Sequence, residues 1–77
     1  MENNFPVIDL LATGKRIEQL RKLNKYSVKQ LQEYFSFTAP QSIYKWQRGE
    51  TLPDISNLLA LAKLFNCTIE EILVYHD

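Results

Sequence analysis

Apolar residues recur at helical spacing in five short stretches of this 77-residue chain, and each stretch begins with its own N-terminal signal. The links between the stretches are short, so neighbouring helices must pack against one another in sequence. No segment shows the pattern of a strand. The sequence therefore predicts a compact all-α domain, and its 45% of hydrophobic residues is enough to build one core.

The five predicted helices cover residues 9–23, 27–35, 38–48, 54–65 and 68–74. Their predicted N-caps are Asp9, Ser27, Thr38, Asp54 and Thr68. In three of the helices a Gln or Glu follows three residues after a Ser or Thr, which is the pattern of a capping box. Residues 1–8 are predicted to be a flexible arm, and residues 9–77 a single domain.

The third stretch, residues 38–48, differs from the others because little of it is apolar. Only Ile43 and Trp46 are strongly apolar, and their spacing would fix one side of the helix on the domain. Gly49 is a natural left-handed terminator. A helix with a narrow apolar side and a polar outer side is typical of elements that enter a DNA groove. Gly14, in the first helix, marks either the close approach of another helix or a later helix start.

The charges are segregated along the chain although the net charge is zero. Residues 13–48 carry eight basic and two acidic side chains, whereas residues 49–77 carry one basic and five acidic ones. Residues 1–12 add two acidic side chains. This distribution favours one side that faces phosphates and another that faces solvent or a partner.

The outer side chains of the third helix have the chemistry of duplex recognition. Gln41 can pair bidentately with adenine, Lys45 can reach guanine or a phosphate, and Ser42 suits phosphates or either base. Tyr44 can donate to phosphate or contact a thymine methyl. Further phosphate contacts are expected at Arg48 and at two helix starts, Ser27 and Thr38.

Other chemistries lack the residues they need. The chain has one cysteine, Cys67, and one histidine, His76, which cannot form an internal disulfide or a zinc site. Cys67 is expected to be a small buried hydrophobic residue. No glycine-rich phosphate loop or nucleophile beside a base is present, so we expect no enzyme, cofactor or small-molecule ligand. No stretch suits a membrane span, and the lone thiol fits the cytoplasm.

Residues 27–73 resemble the helix-turn-helix proteins of the Xre/Cro/phage-repressor type. The resemblance is carried by Ile17 with Leu20 and Arg21, and by residues 27–31, 42–49, 52–54, 58–66 and 68–73. It implies a lambda-repressor-like fold of five helices and sequence-specific binding of double-stranded DNA. It also implies, as is usual in the family, transcription regulation in bacteria or phage.

The resemblance also implies positions for the DNA contacts. The family's base-reading positions correspond to Pro40, Gln41 and Lys45, with Tyr44 alongside. Its phosphate-contacting positions correspond to Ser42, Arg48 and the start of the second helix, from Ser27 to Lys29.

Three departures from the family pattern affect this site. Val28 stands where the second helix often has a glutamine that braces against phosphate and the third helix, so this brace is missing or replaced by Lys29. The turn between the second and third helices is one residue longer than usual and lacks the common glycine, so we expect Phe37 to enter the core. Pro40 cannot donate a hydrogen bond. The Gln41 side chain could be divided between contacts to bases and the capping hydrogen bond with Thr38.

Two further questions stay open at this level. A domain this small would bind DNA best as a homodimer, through residues 69–76 with Tyr75 as an anchor, or through residues 5–8. The main alternative function is a protein-interaction or antitoxin-like module on the same fold.

Overall fold

A computed structural model describes residues 5–77 and confirms the five-helix, all-α domain. The helices are α1 (Leu10–Leu23), α2 (Val28–Tyr34), α3 (Gln41–Gln47), α4 (Ile55–Leu64) and α5 (Ile69–Ile72). Two short strands, β1 (Val7–Ile8) and β2 (Tyr75–His76), flank the helices. Within these residues no helix is long and apolar enough to cross a membrane.

Four of the five predicted N-caps are confirmed. Asp9 and Asp54 each accept a hydrogen bond from the backbone N–H three residues on, at 2.9 and 2.8 Å. Ser27 and Thr68 form complete capping boxes, in which the third residue of the helix accepts a hydrogen bond from the cap's own N–H. These caps satisfy backbone donors that would otherwise lack partners at the helix starts.

Four helices end in the same left-handed turn. The residue after the C-cap has a positive φ in each case: Lys25, Ser36, Gly49 and Asn66. The next N–H reaches back to a carbonyl five residues earlier, at 2.9–3.0 Å, as in a Schellman motif. Gly49 is the predicted terminator of α3, with a φ of 75°. The repeated turn reverses the chain within few residues and lets consecutive helices pack.

One core joins all five helices. Its buried members are Ile17, Leu31, Ile43, Trp46, Leu58, Leu61, Ala62, Phe65 and Ile72. Phe37 packs against this cluster, as expected, with its ring 5.1 Å from that of Phe35 and 5.9 Å from that of Trp46. Cys67 is half-buried at its edge.

The expectation that the chain contains no strand is wrong. Val7 pairs with His76 and Ile8 with Tyr75 in an antiparallel ladder. The predicted arm therefore differs from the structure at residues 7–8, which are paired, while residues 1–4 of the arm lie outside the described part of the chain. Strands of two residues are too short to show a recognisable alternation in sequence.

The last helix is shorter than predicted, ending at Ile72 rather than at residue 74. Leu73 is extended, and Val74 donates its N–H to the buried Thr13 hydroxyl at 2.9 Å. The Val74 carbonyl in turn accepts the N–H of Asp9 at 2.8 Å. These contacts hold the C-terminal segment on the start of α1 and so end the helix early.

Candidate nucleic-acid interface

Helix α3 has one buried side and one exposed side. Ile43 is completely buried and Trp46 is 4% exposed, as predicted from their spacing. Gln41, Ser42, Tyr44 and Lys45 are all exposed. Gln41, Lys45 and Arg48 recur at i, i+4 and i+7, which places them along the outermost line of the helix. The arrangement leaves polar side chains on the outer face of a helix whose other face is fixed in the core.

Gly14 of α1 permits α3 to lie very close. A Cβ atom added at Gly14 would lie 2.7 Å from the Gln47 carbonyl oxygen and would also meet the Trp46 carbonyl oxygen. Both distances are shorter than van der Waals contact allows, so only glycine fits. Of the two interpretations of Gly14, the close approach of another helix is therefore confirmed.

A second contact between α1 and α3 was missed by the sequence analysis. Arg21 donates from Nε to the Gln47 side-chain oxygen at 2.9 Å and from Nη1 to the Tyr26 carbonyl at 2.7 Å. Its side chain is 11% exposed. The available signal was its position four residues after Ile17, on the buried stripe of α1. Arg21 thus fixes the C-terminal end of α3 instead of adding to the exposed positive charge.

The turn before α3 has a non-glycine residue at its left-handed position. Ser36 occupies the left-handed position with a φ of 57° in place of a glycine. The Gln32 side chain donates to the Phe37 carbonyl at 3.3 Å, which adds a bond across the turn. Val28 packs partly buried against the core and does not replace the missing polar brace.

The predicted start of α3 at residue 38 is wrong, as is the capping box between Thr38 and Gln41. The helix begins at Gln41, its N-cap is Pro40, and no side chain caps it. The ring of Pro40 disfavours helical geometry at Ala39, so the helix cannot extend further back. Gln41 therefore takes no part in a side-chain cap.

The predicted phosphate-contacting residues lie on two helices and in the turn between them. Lys29 is exposed in the first turn of α2, after the capping residue Ser27. Thr38 is exposed in the turn, and Ser42 is exposed in the first turn of α3. Pro40, a predicted base-reading position, is half-buried at the N-cap.

Arg48 has an intramolecular partner that the sequence analysis did not anticipate. Its Nε donates to Oε2 of Glu50 at 2.5 Å, and both side chains are about half exposed. This hydrogen bond raises the pKa of Arg48 and lowers that of Glu50. Nearby Lys45 also lowers the pKa of Glu50. The spacing of Arg48 and Glu50 across Gly49 was the available signal.

The described residues include no group of three His, Cys, Asp or Glu side chains that could hold a metal ion. Burial raises the pKa of the Cys67 thiol, and the charge of Glu71 acts in the same direction. A raised pKa lowers the fraction of reactive thiolate. Cys67 therefore has the character of a packing residue.

A family model described as "Helix-turn-helix" matches residues 17–72. Comparisons with curated proteins and with solved structures give no match. The matched region runs from the middle of α1 to the end of α5 and includes α2, the turn and α3. The chain therefore belongs to the helix-turn-helix family of the Xre/Cro/phage-repressor type, a family of DNA-binding proteins.

Proposed function

We propose that this protein binds double-stranded DNA sequence-specifically, with α3 in the major groove, and regulates transcription. The observation that carries the proposal is the division of α3 into a buried side, Ile43 and Trp46, and an exposed polar side. A groove-reading helix needs both, because the buried side sets its orientation and the exposed side meets the base edges.

Gln41 and Lys45 are the main base-contacting residues in this proposal, and Tyr44 lies alongside them. Gln41 suits adenine and Lys45 suits guanine by their hydrogen-bonding groups. Both are exposed on the outermost line of α3. Pro40 contributes only apolar contact, because it has no N–H to donate.

The phosphate contacts are proposed at Ser27, Lys29, Thr38, Ser42 and Arg48, all of them exposed. These residues belong to the basic part of the chain, which supports contact with the duplex backbone. Most of the acidic side chains after residue 48, namely Asp54, Glu70, Glu71 and Asp77, would then face away from the DNA, whereas Glu50 lies next to Arg48.

We further propose a homodimer formed through the C-terminal region. The two surfaces considered from sequence, residues 69–76 and residues 5–8, are adjacent because β1 pairs with β2. Exposed apolar side chains occur there, with Tyr75 39% and Val7 65% exposed. A dimer would present two copies of α3 to paired half-sites. These features are consistent with a cytoplasmic regulator encoded by a bacterium or a phage.

The proposal is tested by selecting bound sequences from a random duplex pool, followed by salt titration of the best sequence. We expect an enriched motif with paired half-sites and an affinity that falls steeply as salt rises. Enrichment of single half-sites would contradict the proposed dimer but not the proposed DNA binding. Failure to bind any duplex at low salt would contradict DNA binding and favour the protein-interaction module.

A further inference from the structure

Glu50 is an acidic side chain next to the cations at the C-terminal end of α3. Glu50 bonds to Arg48 and is close enough to Lys45 for the lysine charge to lower its pKa. By contrast, Lys29 and Lys45 form no ion pair within residues 5–77. Arg48 is therefore the one charged candidate contact in this part of the chain that already holds an anion.

In this geometry Glu50 and a DNA phosphate would compete for the same guanidinium. A phosphate that approaches Arg48 meets a guanidinium whose Nε is already bonded and a carboxylate of its own charge beside it. The Glu50 carboxylate is ionised at neutral pH, as an ordinary glutamate is, and the hydrogen bond from Arg48 lowers its pKa further. Binding must break the pair or bring the two anions together, and either event weakens the contact.

We propose that Glu50 limits the affinity of this domain for DNA by competing with the phosphate backbone for Arg48. The inference depends on the proposed function and adds a specific regulator of the same surface. A weaker backbone contact reduces the sequence-independent share of binding. A larger share of the binding free energy then comes from the bases that Gln41 and Lys45 contact, and the affinity for non-specific DNA is lower.

The test is Glu50→Gln, which keeps the size of the side chain and removes its charge. The affinity for a random-sequence duplex should rise about three- to tenfold, and the slope of log affinity against log salt should steepen by about 0.9, the value for one additional phosphate contact. Asp77→Asn is the charge-matched control, since it removes one negative charge at the last residue. It should change the affinity less than twofold.

A double-mutant cycle with Arg48→Ala tests whether Glu50 lowers the DNA affinity through its contact with Arg48. In the Arg48→Ala background, Glu50→Gln should lose most of its gain in affinity, because the competing cation is gone. Thermal melting of each variant shows that it is folded, which we expect because both side chains are about half exposed.

The outcomes separate the inference from the proposed function. If the original protein binds DNA but Glu50→Gln matches Asp77→Asn or binds more weakly, the inference is wrong and the function stands. An equal gain with and without Arg48 would also overturn it. If the original protein and all variants bind no duplex at low salt, both proposals fail.

Discussion

Helices α2 and α3 each contain seven residues and follow one another in the chain, but they are held in different ways. Helix α2 starts at a complete capping box, formed by two residues three positions apart. Helix α3 has no side-chain cap and relies on its buried face, on Gly14 and on Arg21. The helix proposed to read DNA is therefore positioned by the rest of the domain more than by its own ends.

The largest expected effect is on the buried face of α3. Trp46→Ala should destabilise the domain by about 3–5 kcal/mol, because truncating a large buried aromatic leaves a cavity. For a domain of this size that is enough to unfold much of the population. Urea denaturation followed by circular dichroism measures it. Tyr44→Ala, on the exposed side, is the control, and an equal loss there would contradict the two-sided description of α3.

The outer face of α3 should affect recognition and leave stability unchanged. Lys45→Ala and Gln41→Ala should each reduce discrimination between the selected site and a single-base variant by about 1–3 kcal/mol. Competition binding with the two duplexes measures this. Arg48→Ala is the comparison, since loss of a phosphate contact weakens binding to both duplexes equally. Unchanged discrimination in both of the first two variants would refute their assignment.

Gly14→Ala tests the contact between α1 and α3. The added methyl would overlap the Gln47 carbonyl, and the displaced backbone should cost about 1–3 kcal/mol despite alanine's better helix propensity. Gln19→Ala, at an exposed site of the same helix, should change stability by no more than about 0.5 kcal/mol. A Gly14→Ala protein as stable as the original would show that α3 can move away freely.

A matched pair of substitutions compares the two helix starts directly. Ser27→Ala should cost about 1 kcal/mol, because it removes the cap of α2. Thr38→Ala should cost less than about 0.5 kcal/mol, because Thr38 lies before the start of α3 and does not cap it. Thermal melting of the two variants measures both losses of stability. Equal losses would indicate that Thr38 does cap α3, which would contradict the structure.

The smallest expected effect concerns α1, which is stabilised both by a local N-cap and by a contact with a distant part of the chain. Asp9 caps the helix and also contacts His76 at 3.0 Å. The Ala12 N–H and then His76 lower the pKa of Asp9 from its usual 3.8. The stabilisation by the carboxylate is therefore complete above about pH 5 and is lost as the pH falls through its lowered pKa.

Asp9→Asn tests this dependence, because asparagine caps well but does not titrate there. The difference in melting temperature between the original protein and the variant should shrink as the pH falls below 3.8, through the lowered pKa of Asp9. A difference that is unchanged at low pH would show that the charge of Asp9 does not matter.

The features predicted correctly from sequence have short range. A cap and its partner are three residues apart, and a buried helix face repeats every three or four residues, so both are visible in the sequence. The exposed side chains of α3 and the confirmed N-caps were predicted on these grounds. Thr38 was mistaken for a cap because its pattern is correct and only the proline two residues later prevents the helix.

The features that were missed depend on contacts between distant parts of the chain. Arg21 and Gln47 are 26 residues apart, and Thr13 and Val74 are 61 apart. Glu50 is close to Arg48 in sequence, but only the turn at Gly49 brings the two charges together. No local periodicity records such pairings.

The sequence by itself determined that this protein is a five-helix domain with a polar outer side on α3, because local hydrogen bonds and periodic burial act over a few residues. Only the tertiary structure decided how closely α3 lies against α1 and which of its cations is already paired. These outcomes depend on the space and the charges that packing brings together, and the order of residues does not show them.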